Sequence, residues 1–296
     1  MPEPFGTGLA CDPFMTQSAH SSQSPPLRAR TPRALACLFA VLIQCAGPAV
    51  FAQDDSLPDS SSIQPGPVLE VLPASPEPFR AGESLRFSVR YGFISAGSAW
   101  LEVPEVVDWH GHPSWRLVAR AESNGFFDKV YKVRNRIESV WDQQGHFSWR
   151  YFEDRHEGGY TANDTLTFEP DSGRVRYKNG MTYPVPPQVQ DALSAFYFTR
   201  FQALPLGGSV TFDYHASRKS APMEVKVLGR QRIKTPAGRF NCIVIEPLLK
   251  AGGIFKNKGR LVIWLTDDER RMPVQMRSKV LIGSISVTLQ EAKTGS

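Results

Sequence analysis

The sequence predicts a mainly β protein: an antiparallel barrel or a strongly curved half-barrel sheet of about a dozen strands, with one or two short helices. Three observations predict it. From Glu83 onward, apolar and polar residues alternate with period two. Gly-, Asn- and Asp-bearing turns separate the alternating runs at hairpin spacing. One stretch after Asp191 changes to helical spacing and then stops.

The strands follow in order. Leu85, Phe87, Val89 and Tyr91 alternate with Arg86, Ser88 and Arg90, the mark of a half-buried strand. After a turn at Ser95-Ala96-Gly97, Ala99, Leu101 and Val103 continue the pattern. His110-Gly111-His112-Pro113 makes the next turn, and Trp115, Leu117 and Ala119 begin a third strand. Residues 133–141, 146–152, 160–168 and 175–177 read as further strands. So do 209–214, 223–232, 240–245, 261–265, 274–279 and 284–289. Gly145, Asp171-Ser172-Gly173, Asn179-Gly180, Ala237-Gly238 and Asp267-Asp268 sit between them as turns.

The helical segment has Asp191 as its N-cap, with Leu193, Phe196, Tyr197, Phe201 and Leu204 on one face. Pro205 and Gly207-Gly208 end it. Its aromatic face fits two roles: a plug closing one end of the barrel, or a lid over an apolar cavity. Asn124 to Tyr131 is the second candidate helix, with Phe126, Phe127 and Val130 expected to face inward.

Residues 1–52 are set apart from the fold. Arg28, Arg30 and Arg33 form a positive region, Ala34 to Ile43 an apolar run, and Val50-Phe51-Ala52 a small-x-small cleavage site. This is the layout of a secretory signal peptide, with cleavage expected after Ala52 and a mature chain starting at Gln53. The apolar run is too short to span a bilayer, so no transmembrane span is expected in the mature chain. The stretch before Arg28 is long for such a peptide, and Met15 is a candidate start. Leu42-Ile43-Gln44-Cys45 fits a lipidation site poorly, because Gln44 is too large. Residues 53–78, rich in Ser and Pro, read as a disordered linker, and 79–293 as a single β-rich domain. The expected address is the periplasm.

Composition narrows the function classes. Of four cysteines, only Cys242 lies beyond the leader, so the mature chain has no intramolecular disulfide. Cys242 sits among Phe240, Ile243, Val244 and Ile245, where a thiol is an inert core residue. The formal net charge is +5, with charges alternating along strands, which argues against a nucleic-acid groove. The one basic knot, Lys256 to Arg260, reads as a hairpin tip. Asp108, His110 and His112 have metal-like spacing but lack a closing ligand set, so no metal and no cofactor is expected. Asp154-Arg155-His156-Glu157 precedes Gly158-Gly159 and reads as a solvent-facing hairpin cap. No G-x-S-x-G, H-E-x-x-H, S-x-x-K, P-loop or G-x-G-x-x-G is present. No catalytic residue is assigned, and the missing motifs leave an enzyme open, since β-barrels can assemble sites from scattered residues.

Several segments carry a resemblance. Gly82 to Val89 with Ser95-Ala96-Gly97, Asp191 to Arg200, Thr235 to Cys242, Val262 to Asp268, and Ile282-Gly283-Ser284 resemble the bacterial domain of unknown function 3108 family. The resemblance runs over about residues 79–290. It implies a β-rich envelope protein of Gram-negative bacteria, and no reaction.

Three functional classes follow. The first is a periplasmic binding module whose curved sheet takes an apolar or lipid-like ligand in a mainly apolar pocket. Phe196, Tyr197, Phe198 and Phe201 are its expected rim, and Trp141, Trp149 and Trp264 its walls. The second is an envelope enzyme of hydrolase type. The third is a structural partner in an envelope assembly. An open apolar cavity favours the first. A cleft with converging acids, His156 or His215 favours the second, and a filled barrel the third.

Overall fold

The computed structural model describes residues 71–251, 254–255, 260–279 and 283–295. The leader and most of the Lys256 to Arg260 knot lie outside the described residues. The strands are β1 (Val71–Leu72), β2 (Glu83–Tyr91), β3 (Ile94–Trp109), β4 (His112–Ser123), β5 (Val133–Asp142) and β6 (Ser148–Glu157). Next come β7 (Tyr160–Glu169), β8 (Arg174–Tyr177), β9 (Thr182–Pro184) and the helix α1 (Ala192–Phe201). The second half holds β10 (Leu204–Pro205), β11 (Ser209–Ala216), β12 (Lys219–Thr235), β13 (Gly238–Ala251) and β14 (Ile254–Phe255). It ends with β15 (Leu261–Thr266), β16 (Pro273–Lys279) and β17 (Ser284–Lys293).

All of these strands but β1 and β10 form one curved, antiparallel sheet that does not close. Its order is β11-β12-β13-β15-β16-β17-β2-β3-β4-β5-β6-β7-β8-β9, with β14 added on β13. The first and last strands of this sheet in chain order are therefore neighbours: Val287 of β17 pairs with Val89 of β2. Register shifts interrupt the ladders at Val89/Arg90, Glu102/Glu105, Val227/Gly229 and Leu289/Glu291. Each extra residue bends its strand and raises local twist, which curls the sheet. The predicted alternation holds: Leu85, Phe87, Leu101, Val103, Leu117 and Ile137 all point into the buried core.

Helix α1 fills the barrel. It packs on β4, β5 and β11. Asp191 caps it by accepting from Leu193 N and Ser194 N, and Ser194 Oγ accepts from Asp191 N in return. Phe79 lies edge-on to Trp115, Tyr197 and Phe201, with ring centroids 4.9–5.5 Å apart. Trp141, fully buried, stacks on Trp115 and meets Phe201. Below the aromatic layer, Arg200 is itself fully buried. Its guanidinium donates to both oxygens of Glu83 and to the carbonyls of Pro78 and Arg270, between the rings of Phe79 and Tyr197.

The second expected helix is a single 3-10 turn, Phe127–Lys129. Only Phe127 faces inward; Phe126 and Val130 are 66% and 76% exposed. A turn this short presents one side chain to the core, so apolar spacing over 124–131 does not make a buried face. The described end of the Pro-rich stretch is not free. β1 pairs with β10, and Ser75 is buried, its hydroxyl donating to Glu269 O. Arg271 donates to the carbonyls of Pro73 and Gln202 and so clamps this strap to the end of α1. Proline favours extended chain, and an extended chain can dock as well as tether.

Candidate functional site

The two free edges of the sheet face each other across a seam. Two sets of contacts hold it. Residues 188–191 form a strut: Gln190 bridges to Tyr214 of β11, with Gln190 N donating to Asp213 O and His215 N donating to Gln190 O. The Gln190 side chain accepts from Trp141 Nε1 and donates to His146 O. The second contact is made by side chains. His215 of β11 is 2.9 Å from the Tyr177 hydroxyl of β8 through Nε2, and 2.9 Å from Ser220 Oγ through Nδ1. The Tyr177 hydroxyl also accepts from Arg218 N. A neutral imidazole with its proton on Nδ1 satisfies this chain, Tyr177 donating to Nε2.

Beside the seam lies a cavity of about 500 Å³, within the range of roughly 300–1,000 Å³ that small ligands occupy. Tyr151, Glu153, Tyr160, Asp164, Asp191, His215 and Arg218 are among its lining residues. Glu153 on β6 and Asp164 on β7 are direct cross-strand partners, so their side chains project from the same face. Tyr151 donates to Glu153 Oε2 at 3.2 Å. Tyr160, exposed at the mouth, carries the Arg155 guanidinium 5.5 Å from its ring centre.

Burial tunes this lining. It pulls His215 down to about 4 and pushes Tyr177 up to about 12. It also raises Asp191, against the hydrogen bonds from Ser139, Ser194 and Leu193 that favour the carboxylate. Tyr151 is raised well above the ordinary phenol, by burial first and by neighbouring Glu153 second. At neutral pH the ring of His215 is thus an uncharged hydrogen-bond partner.

Behind the cavity runs a buried polar row that the sequence reading placed in solvent. Arg155 and Glu157 are 2% and 1% exposed. Arg155 holds both oxygens of Glu157, and Asn135 Nδ2 donates to Glu157 at 2.7 Å. Arg155 Nη1 lies 3.6 Å from Glu153 and makes no hydrogen bond among the described residues. The reason is phase. Tyr151, Glu153, Arg155 and Glu157 share one face of β6, and Tyr151 turns that face inward. Reading Glu153 to Glu157 in phase with Tyr151 would have found them. The larger cavity is accordingly polar, where a mainly apolar pocket was expected.

The seven aromatic residues expected to form a site fall into three places. Phe196, Tyr197, Phe201 and Trp141 are buried in the barrel core, and Phe198 is half-buried against Phe212. Trp149 lies outside this group, against Phe147 and His112, and donates to Asp142. Trp264 is buried on the opposite sheet face with Cys242, Val244, Val262 and Val274. None of the seven lines the seam cavity or a smaller apolar one of about 50 Å³ between Tyr91, Ala121, Phe127 and Ile285. Burial drives the Cys242 thiol up to about 12. Asp108 Oδ1 accepts from Gly111 N within its turn. His156 is exposed and lies 3.2 Å from Asp154. Among the described residues, no group of three or more His, Cys, Asp or Glu is placed to hold a metal. No described helix is long and apolar enough to cross a membrane.

Comparison with known proteins bears on the fold. Residues 86–290, more than half of the chain, match the family model described as "Protein of unknown function (DUF3108)". Among curated proteins none matches. A β-barrel-like protein of domain of unknown function DUF1849 from Brucella abortus is similar in structure, with a TM-score of 0.53 at 9% identity, over 74% of this chain and 99% of that one. A candidate exported protein with a YmcC-like fold from Bacteroides fragilis aligns with a TM-score of 0.34 at 11% identity, over 75% of this chain and 100% of that one.

Proposed function

The chain belongs to the DUF3108 family, and from that premise we propose that it is an exported envelope protein whose incompletely closed barrel is a binding module. Its ligand is small, polar and rich in hydroxyl or amine donors, and it occupies the seam cavity. The observation that carries this reading is the wall itself. Glu153 and Asp164 present acceptors side by side, and Tyr160 offers a ring face on which a sugar or an amine can lie. Export rests on the leader sequence, with the mature chain starting at Gln53 in the periplasm.

The aromatic face of α1 supports an apolar or lipid-like ligand less well. Phe201 and Tyr197 are packed against Phe79, Trp115 and Trp141. The apolar cavity of about 50 Å³ is far below the size of a ligand pocket. A second reading rests on Glu153 and Asp164. Two adjacent carboxylates are the equipment of acid–base hydrolysis, so an envelope hydrolase is the alternative.

Native mass spectrometry of the protein purified from its own periplasm tests the reading. A co-purified polar small molecule, lost in Asp164→Asn and Tyr160→Ala but retained in Val106→Ser, is the expected result. A co-purified lipid, or no adduct and no saturable binding across a panel of sugars and amines, overturns it. Turnover of a chromogenic glycoside that Glu153→Gln abolishes would select the hydrolase. N-terminal sequencing of the exported form checks the cleavage.

A further inference from the structure

We propose that the end of the barrel opposite the Glu83–Arg200 pair is a docking surface for an anionic lipid surface. The large apolar side chains left in solvent are not spread evenly. Phe93 and Ile94 lie at the β2–β3 tip, 85% and 38% exposed, and Phe126 and Val130 lie on the turn between β4 and β5.

The two tips are fastened into one surface. Asn124 Nδ2 donates to Ser95 O, and Asn124 N to Ala96 O, so the Phe126 turn sits beside the Phe93 hairpin. Phe127 points inward to the Tyr91 ring and anchors the turn, while its neighbour Phe126 is left outside. Single exposed apolar residues are ordinary; a fastened group of bulky ones marks an interaction surface.

Charge selects the partner. Arg90, Lys129 and Lys132 are exposed around this group. Arg134 and Asp128 cancel each other at 2.7 Å, which leaves Glu122 as the opposing charge among the described residues of these two tips. Bulky apolar tips with a basic surround fit the boundary between acyl chains and anionic headgroups, where aromatic side chains insert and lysines meet phosphate. A second copy of this surface would oppose its own positive charge. The seam cavity plays no part in this proposal.

The test is co-sedimentation of the mature chain with vesicles. Wild type is expected to bind phosphatidylglycerol/phosphatidylethanolamine vesicles at least tenfold better than phosphatidylcholine vesicles, and to be released by high salt. Phe93→Ser/Phe126→Ser should lower binding at least tenfold, and Lys129→Glu/Lys132→Glu comparably. Val106→Ser, another exposed apolar residue away from this surface, should change nothing. Circular dichroism and melting temperature verify that the variants stay folded, as their exposure implies. Equal binding by wild type and the double variants, or no binding to either vesicle, overturns the proposal. So does a dimer in size exclusion that depends on this surface, without vesicle binding.

Discussion

Arg200 and Glu83 meet through two hydrogen bonds of 2.7 and 2.8 Å, with both side chains removed from water. One belongs to the helix and the other begins β2, so the pair fixes the depth of the plug in the barrel. Burial alone disfavours the Arg200 cation, but the neighbouring Glu83 more than offsets this and the Arg200 pKa ends raised. Arg200→Met leaves Glu83 buried and unpaired and should cost about 3–5 kcal/mol in urea unfolding. Adding Glu83→Leu should recover part of that loss. A double variant no better than the single one would mean that the carbonyls of Pro78 and Arg270, and not the ion pair, dominate the site.

Stability should fall on mild acidification because of His215. Its pKa is about 4 in the fold against an ordinary 6.5. Between those values the unfolded chain binds a proton that the native one does not. Stability is therefore full above about pH 6.5 and declines as pH drops towards 4, by about 2–3 kcal/mol in all. His215→Gln should flatten this slope. Urea midpoints at pH 7.5 and 4.5 decide it, and an unchanged slope in the variant would remove His215 as the cause.

The Tyr197 hydroxyl is buried and has no hydrogen-bond partner among the described residues. Tyr197→Phe removes an unsatisfied group and keeps the ring packing. It should be neutral or stabilising by up to about 1 kcal/mol. A clear loss of melting temperature would show that the hydroxyl has a partner in solution.

Asp191 serves the helix N-terminus and Ser139 together. Asp191→Ala should cost about 2–4 kcal/mol, one part from the lost cap and one from the orphaned donors. Asp191→Asn keeps an acceptor and should cost about half as much. Equal losses in the two variants would point to the charge and away from the cap.

Phe201 touches four aromatic neighbours, Phe79, Trp115, Trp141 and His146. Phe201→Ala should destabilise by about 3–5 kcal/mol. Phe196, at 7% exposure, should behave similarly. A neutral outcome at either position would bring back the lid in place of the plug.

The strands were legible because a single buried face imposes period two, and Leu85 to Tyr91 or Val133 to Trp141 display it directly. The helix was legible because Asp191, Leu193, Phe196 and Phe201 carry both its cap and its spacing. The cavity was not. Glu153, Arg155 and Glu157 are polar at positions facing inward, and their partners come from β5 and β7, which sequence proximity does not reveal. Tyr177 and His215 lie 38 residues apart, and nothing local marks them as the two sides of one seam. Aromatic density on α1 was visible, but whether rings fill or line a space depends on Phe79 and Trp115 arriving from elsewhere.

The adjacency of β2 and β17 reaches beyond the folded state. Ser88 and Thr288 are 200 residues apart, yet they share a ladder. Joined at that ladder, the sheet runs from β11 through β17 and β2 to β9, the strand order of a circularly permuted up-and-down meander. During delivery of the chain from its N-terminus, β2 waits as an open edge until the last strand arrives, a slow pairing of high contact order. A permutant that joins the end of β17 to the segment before β2 and opens near Val185–Gln188 makes every pairing along the main sheet local. It should fold faster than the natural chain at similar stability, which stopped-flow refolding can measure.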